Sequence, residues 1–170
     1  MTGLVDAEGS FIVRLYKNKS KLGWAVQAIF TIGLHERDLD LLLQVQKFFG
    51  GIGSINKSQN RDVVIYSVVG NKDLISIIIP HFEKYSLLTQ KAADFILFQR
   101  VIELMSKKAH LEGLYQIINI KAAMNLGLSD DINSNFNSVK IIPVSRPLIM
   151  NDNIPDPNWV AGFVTGEGCC

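Results

Sequence analysis

Apolar and polar residues alternate along four stretches of the chain, which predicts four β-strands. The alternation is clearest over 10–16 and 24–34, where every second residue is apolar. A period of two indicates a strand with one buried and one exposed face. Residues 52–57 and 61–69 continue the pattern on either side of a polar turn and predict a hairpin. The strands therefore come as two sequential pairs.

Helical patterns separate and follow the strand pairs. The expected helices cover 36–49, 73–79, 89–107 and 111–125. Acidic residues early in the first of them suit the helix dipole, and Gly50-Gly51 is expected to end it. Thr89 is a typical N-cap, Pro80 is expected to end the short second helix, and Gly127 is expected to end the last. Strand pairs mixed with helices in this order indicate an α+β fold.

The start of the chain recurs near its end. Residues 1–10, MTGLVDAEGS, align without gaps on residues 160–169, VAGFVTGEGC, at an offset of 159 residues. This offset is too long for a solenoid repeat and is about the size of a small domain. The repeat therefore predicts a duplicated domain, with a first unit over 1–127 and only the beginning of a second.

A change of composition marks the connection between the two copies. Asp, Asn, Ser and Pro are concentrated over 128–156, which predicts an inter-repeat linker. Asp156 followed by Pro157 is typical of an N-cap and a first helical residue. The second copy is therefore expected to open as a helix within 157–170.

Composition excludes several classes of protein. With 48% hydrophobic and 19% charged residues, the chain can form a folded core and is not intrinsically disordered. The 17 Lys and Arg nearly balance the 16 Asp and Glu, so affinity for nucleic acid requires local charge clusters. The two cysteines, Cys169 and Cys170, are adjacent and cannot form a disulfide framework or a zinc finger. No apolar run approaches the ~20 residues of a membrane helix and no secretory signal is visible, so we expect an intracellular protein without a membrane partner.

Both copies of the repeat carry an acidic residue followed by glycine. MTGLVDAEG and WVAGFVTGEG resemble the two copies of the motif that names the LAGLIDADG homing endonucleases, and the order of elements resembles that family's αββαββα unit. The resemblance implies an antiparallel sheet in an α+β unit, followed by a helical annex, a linker and the start of a second repeat. Family members with two motifs act as monomers and those with one act as homodimers. A complete protein is thus expected to be a monomer, and these 170 residues alone could form a homodimer.

The motif residues suggest a metal site between two helices. Small residues allow the helices to pack closely, and the expected interface is formed by Gly3, Leu4, Ala161 and Gly162. Close packing brings together Glu8 and Glu167, each followed by a glycine suited to a left-handed C-cap. Two facing acids at helix C-termini repel each other and oppose the dipole, whereas a divalent cation removes this conflict. The expected ligands are the carboxylates of these acids and the last-turn carbonyls of Ala7 and Gly166.

The resemblance implies that Glu8 and Glu167 are the metal-binding catalytic acids. The alternative is that these acids are ordinary solvated residues at helix ends. Asp6 differs from them because its counterpart in the second copy is Thr165, so a symmetric catalytic role is not expected. We expect Asp6 to serve as a helix cap or as a polar group at the interface.

The strand alternation also predicts a nucleic-acid face. Arg14, Gln27 and Asn56 are candidates for reading bases, because their side chains match guanine or adenine edges in the major groove. The alternative is a solvated sheet face. The expected DNA-binding residues are Ser10, Ile12, Arg14, Tyr16, Asn18, Lys19, Ala25, Gln27, Ile29, Thr31, Ser54, Asn56, Ser58, Ile65, Ser67 and Val69.

The resemblance implies a site-specific endonuclease that cuts double-stranded DNA at a long asymmetric target. It also implies Mg²⁺ or another divalent cation, and an intron-encoded origin in a mitochondrion or other organelle. These 170 residues alone are expected to fold without cutting. One alternative is a maturase that binds intron RNA, in which splicing would survive Glu8→Gln. Another is a catalytically inert DNA-binding fragment.

Overall fold

The computed structural model describes residues 1–59, 61–107, 111–151, 153–154 and 156–168. Asn60 of the expected hairpin turn and the two terminal cysteines lie outside these residues. The chain divides into two compact units, each built from separate segments. Unit 1 comprises Met1–Phe11, Ile29–Ala92 and Ile149–Cys170, and unit 2 comprises Ile12–Ala28 and Ala93–Leu148.

Helices and strands follow the predicted order. The strands are β1 (Gly9–Lys17), β2 (Trp24–His35), β3 (Ser54–Lys57) and β4 (Val63–Val68). The helices are α1 (Thr2–Glu8), α2 (Leu39–Phe48), α3 (Asn71–Asp73), α4 (Ile79–Lys84), α5 (Lys91–Ser106), α6 (Leu111–Ala122), α7 (Asp130–Asn135) and α8 (Pro157–Glu167). A 3-10 turn, Glu36–Asp38, precedes α2, and a π-helical segment, Leu74–Ile78, joins α3 to α4. The predicted α+β fold is confirmed.

The four strands form one sheet in the order β1-β2-β4-β3. Strands β2 and β4 pair antiparallel from Phe30↔Val68 to His35↔Val63, and β3 pairs antiparallel with β4 from Ser54↔Ser67 to Lys57↔Val64. Successive side chains point to opposite faces of a strand, so this register places the even-numbered residues of β2 and β4 on one face. That face is buried, which confirms the predicted alternation.

Aromatic side chains fill the core of unit 1. The ring of Phe30 lies 5.5 Å from Phe82 and 5.4 Å from Phe11, measured between centroids. Phe11 meets Phe82 edge to face at 5.6 Å. Such tilted and edge-on pairs are favourable beyond the area that they bury. Phe30 and Tyr66 are fully buried, so this cluster anchors the sheet against α4.

Unit 2 has its own core and a partly buried ion pair. Its cluster of buried apolar residues consists of Leu15, Leu114, Ile118, Ile132 and Phe136. The Arg146 guanidinium donates to Asp94 of α5 at 2.6 Å and to the carbonyl oxygen of Ala123 at 3.0 Å. The predicted linker therefore contains a short helix, α7, and an anchored segment around Arg146.

Pro80 does not end a helix, contrary to the prediction. It lies in the first turn of α4, directly after the π-helical segment. Proline lacks the N–H of the usual bond to the residue four positions back, and its ring collides with that carbonyl. In the π-helical segment bonds reach one residue further, so the helix can pass the proline.

None of the helices in the described part of the chain has both the length and the hydrophobicity that spanning a bilayer requires.

Candidate active site

Helices α1 and α8 touch through their backbones. A Cβ atom on Gly3 would overlap the carbonyl oxygen of Trp159 and lie 2.6 Å from the backbone nitrogen of Phe163. A Cβ atom on Gly162 would lie 3.0 Å from the backbone nitrogen of Leu4. Separations below 3.0 Å are essentially never seen for real Cβ atoms, so Gly3 is required for this approach. Three of the expected interface residues therefore meet at this crossing.

The small-residue stripe of α8 differs from the expected one. Ala161 is exposed, whereas a Cβ on Gly166 would lie 2.5 Å from the Ala7 Cβ and 3.0 Å from the Glu8 Cγ. Residues four apart share one helix face, and adjacent residues do not. The stripe therefore runs through Gly162 and Gly166, and the expectation for Ala161 is wrong.

The crossing brings the two acids close enough to interact. Glu8 is the last residue of α1 and is half-buried, and Glu167 is the last residue of α8 and is exposed. Burial raises the pKa of Glu8, and the negative charge of Glu167 raises this pKa further. The nearby Lys91 ammonium opposes both effects. The acids thus form a pair whose charges repel each other.

The glycines after the acids are not left-handed caps. Gly9 has φ −79° and ψ 159°, and Gly168 has φ −65° and ψ 102°, so both are extended. A Cβ on Gly9 would lie 2.7 Å from the carbonyl oxygen of Val5. A Cβ on Gly168 would overlap the carbonyl oxygen of Val164. The Gly168 N–H donates to this carbonyl at 2.7 Å. Glycine is therefore needed because the chain turns sharply over the end of its own helix, and not because of a positive φ.

Lys91, at the start of α5, belongs to this site and was missed in the sequence. Its Nζ donates to the carbonyl oxygen of Ala7 at 2.6 Å. No local pattern connects two residues that lie 84 positions apart. The sequence did hold one signal for Lys91. A cation in the first turn of a helix is unfavourable with the helix dipole, just as an acid in the last turn is.

Asp6 is a buried acceptor that connects α1 with both α8 and the segment before α5. Its carboxylate is 4% exposed and accepts from the Leu88 N–H at 2.8 Å, from the Thr89 hydroxyl at 2.5 Å and from the Trp159 indole N–H at 2.7 Å. The expected role as a polar interface group is therefore observed, whereas the N–H groups that Asp6 accepts from precede α5, so it does not cap a helix. Thr165, its counterpart, instead donates to the carbonyl oxygen of Ala161 in its own helix at 2.7 Å.

The ends of the two helices fit a hard divalent cation. Their expected donors are all oxygen atoms: the two carboxylates and the carbonyls of Ala7 and Gly166. The charge repulsion that raises the pKa of Glu8 is relieved when a cation binds between the acids. Across the described residues, no group of three or more His, Cys, Asp or Glu side chains could hold a metal ion. Any metal site at this crossing must therefore combine the two carboxylates with carbonyls, water or substrate oxygens.

The expected nucleic-acid residues are all at least partly exposed. In unit 2 they are Ile12, Arg14, Tyr16, Asn18, Lys19, Ala25 and Gln27. In unit 1 they are Ser10, Ile29, Thr31, Ser54, Asn56, Ser58, Ile65, Ser67 and Val69. Within the sheet of unit 1, Thr31 pairs with Ser67, and Ser67 pairs with Ser54, so three hydroxyl groups form one row. This face therefore carries polar and apolar groups without an acidic residue.

Comparison with known proteins identifies the family. The model of the LAGLIDADG endonuclease family matches residues 1–102, which include α1, the whole sheet and Lys91. The chain belongs to the LAGLIDADG endonuclease family. The matched residues include Glu8. Membership implies the use of divalent metal ions, in agreement with the oxygen donors at the ends of α1 and α8.

Relatives of this LAGLIDADG chain match it over nearly its full length. The probable intron-encoded endonuclease 3 of Neurospora crassa is 53% identical over 171 residues, covering 98% of this chain and 32% of the relative. The structure of the I-SmaMI LAGLIDADG homing endonuclease bound to cleaved DNA superposes with a TM-score of 0.92 at 46% identity, covering 97% of this chain and 55% of that one. The I-LtrWI homing endonuclease bound to target DNA gives a TM-score of 0.93 at 40% identity, covering 99% and 56%. The chain therefore spans about a third to a half of the length of these relatives.

Proposed function

We propose that this chain is part of an intron-encoded, site-specific endonuclease that hydrolyses phosphodiester bonds in double-stranded DNA. The observation that carries the proposal is the pairing of Glu8 and Glu167 at adjoining helix ends, with Lys91 beside them. The arrangement costs stability, since like charges repel and each acid opposes its helix dipole. The relatives named above, two of them bound to DNA, support the same conclusion.

In this mechanism Glu8 and Glu167 would hold Mg²⁺ or another divalent cation, together with the carbonyl of Gly166 and the second lone pair of the Ala7 carbonyl, which also accepts from Lys91. When bound, such an ion supplies a water of lowered pKa and stabilises the charge that develops on the phosphate. Burial and the negative charge of Glu167 raise the pKa of Glu8 and so disfavour its ionised form. A cation between the two acids would lower this pKa and favour the ionised form.

Lys91 supplies the permanent positive charge of the site. Its ammonium group bonds the Ala7 carbonyl, one residue before Glu8, and so holds the last turn of α1 in place. The same charge attracts a DNA phosphate toward the acids and stabilises negative charge that develops there. This role predicts that removal of Lys91 slows hydrolysis more than it weakens DNA binding.

DNA contact is assigned to the exposed strand faces of each unit. Arg14, Gln27 and Asn56 read base edges, and the exposed Lys19 in the turn after β1 contacts phosphate. The other candidate residues line the same faces. The finer setting, a mitochondrion or other organelle, stays a prediction, as do the monomeric state of a complete protein and the homodimer of the chain alone.

The test compares Glu8→Gln, Glu167→Gln and Lys91→Ala in the full-length protein, with the exposed Glu112→Gln of α6 as the control. A library of duplex targets is incubated with Mg²⁺, and affinity is measured separately with Ca²⁺. We expect both glutamine variants to lose double-strand cleavage while affinity stays within a few-fold, because the acids bind metal and not bases. Glu112→Gln should cut normally.

Full cleavage by Glu8→Gln or Glu167→Gln would refute the assignment. Binding to structured intron RNA, with splicing that survives Glu8→Gln, would favour the maturase. Tight DNA binding by a wild-type protein that never cuts would favour the inert fragment.

A further inference from the structure

A series of hydrogen bonds within unit 1 connects the buried Asp6 carboxylate with the backbone of Lys91. The Thr89 hydroxyl donates to Asp6 Oδ1 at 2.5 Å, and the Thr89 N–H donates to the same oxygen at 3.1 Å. The Lys91 N–H donates to Thr89 Oγ1 at 3.3 Å. The Lys91 ammonium group donates to the Ala7 carbonyl oxygen, so the series returns to the residue after Asp6. We call Asp6, Thr89 and Lys91 the Asp6 network.

Each hydrogen bond of the Asp6 network has a fixed direction. The Asp6 carboxylate accepts from two backbone N–H groups, one hydroxyl and one indole N–H. An ionised carboxylate only accepts hydrogen bonds, so it satisfies all four donors, whereas an amide would turn its NH₂ group toward donors. The Thr89 hydroxyl must give its hydrogen to Asp6, which leaves its lone pairs for the Lys91 N–H.

The Asp6 network fixes the start of α5, where Lys91 is the first helical residue. The first N–H groups of a helix have no acceptor within the helix. Thr89 supplies two of them, because its hydroxyl accepts from the Lys91 N–H and its carbonyl accepts from the Ala92 N–H at 3.0 Å. Asp6 holds Thr89 by two bonds and the Leu88 N–H by a third. The backbone of Lys91 is therefore fixed relative to α1.

A fixed backbone matters because a lysine side chain is long and flexible. Ordering such a side chain costs conformational entropy, and a misplacement of about 1 Å at a reacting centre can slow a reaction roughly 100-fold. Asp6 is buried and its oxygens are occupied by four protein donors. Its effect on hydrolysis must therefore pass through the residues that it holds.

We infer that Asp6 and Thr89 are positioning residues for hydrolysis, and that they act by holding Lys91 beside the last turn of α1. The inference rests on the proposed function, because it takes Lys91 to stabilise negative charge on a DNA phosphate. It gives a role in the reaction to the acid of the first motif copy that has threonine as its counterpart in the second.

The test separates the hydroxyl of Thr89 from its shape in the full-length protein. Thr89→Val keeps the branched side chain without the hydroxyl, and Thr89→Ser keeps the hydroxyl. Phe82→Leu, which loosens the aromatic cluster of unit 1, controls for lost stability. Single-turnover cleavage of a duplex selected by the wild type is measured in Mg²⁺, and the dissociation constant in Ca²⁺. Hydrogen exchange at the Lys91 amide is followed by NMR without metal.

We expect Thr89→Val to lower the single-turnover rate roughly 10- to 100-fold, the range for residues that orient a ligating group. The dissociation constant should stay within a few-fold, and exchange at the Lys91 amide should become faster because its acceptor is lost. Thr89→Ser should restore the rate and the slow exchange. Phe82→Leu should be less stable but should cut at the wild-type rate.

The Lys91→Ala background shows whether the effect passes through Lys91. Thr89→Val should slow cleavage no further in this background, because the group that Thr89 positions is gone. Asp6→Asn should slow cleavage as Thr89→Val does, and likewise only while Lys91 is present. It should also lower stability, because the amide leaves buried donors unpaired.

A wild-type rate in Thr89→Val, or the same slowing with and without Lys91, would overturn the inference alone. An equal loss of rate in Phe82→Leu would do so too, because lost stability would then explain both results. If the wild type cuts no duplex, the proposed function itself fails, and the inference fails with it.

Discussion

We expect Gly3→Ala to disrupt the packing of α8 on α1. The added Cβ would overlap the Trp159 carbonyl oxygen and lie 2.6 Å from the Phe163 nitrogen. Both atoms belong to the backbone, so neither can rotate away as a side chain could. The helices must therefore separate, or α8 must detach.

The expected loss of stability is set by whichever of these two responses costs less free energy. Overpacking costs ~1–3 kcal/mol, and the upper end applies because rigid backbone is displaced. Detachment breaks the bond from the Trp159 indole to the buried Asp6 carboxylate, a bond to a charged group worth ~1.5–3 kcal/mol. Alanine recovers up to ~1 kcal/mol through its helix propensity. A net loss of about 1–2 kcal/mol in the free energy of unfolding or of α8 docking is expected.

The assay is urea unfolding together with the NMR signal of the Trp159 indole N–H. Gly113→Ala is the matched control, because Gly113 is also helical but has no neighbouring atom within 4 Å of its Cβ position. It should raise stability by ~0.5–1 kcal/mol. If Gly3→Ala matched this gain and left the indole signal unchanged, the close approach of the two backbones would be wrong.

Two further predictions concern titration and the partly buried ion pair. Burial, and then the positive amino terminus, lowers the pKa of His81 to about 4. Between about pH 6.5 and pH 4 the unfolded chain therefore binds a proton at His81 that the folded chain does not bind. The free energy of unfolding should fall as the pH drops through this range. His81→Phe should flatten this dependence in thermal melts at pH 7 and pH 5, and an unchanged slope would contradict the assignment. Asp94→Ala should destabilise the protein toward the lower end of ~3–5 kcal/mol, because it leaves Arg146, whose side chain is 33% exposed, without its carboxylate. A double-mutant cycle with Arg146→Ala measures the coupling, and additive losses would show that the pair does not interact.

Sequence periodicity was sufficient for features that depend on neighbouring residues. Apolar alternation reports which side of a strand faces the core, and the buried residues of the strands follow it. The start of α8 could also be predicted from the sequence. In the structure Asp156 accepts from the Asn158 N–H at 2.8 Å, and Pro157 is the first helical residue. The gapless repeat located both acids, because each copy carries the same ending of the motif. None of these features requires knowledge of the path of the chain.

Only the tertiary structure decided what surrounds those acids. Lys91 bonds Ala7 from 84 residues away, and Asp6 bonds Trp159 across 153 residues, so no local period could connect them. The extended conformation of Gly9 and the exposure of Ala161 likewise depend on how the chain leaves one helix and meets another. The spacing of apolar residues depends on the backbone geometry of a helix or strand and on which of its sides faces solvent. The choice of partner across the fold depends on which segments pack together, and that is a property of the whole structure.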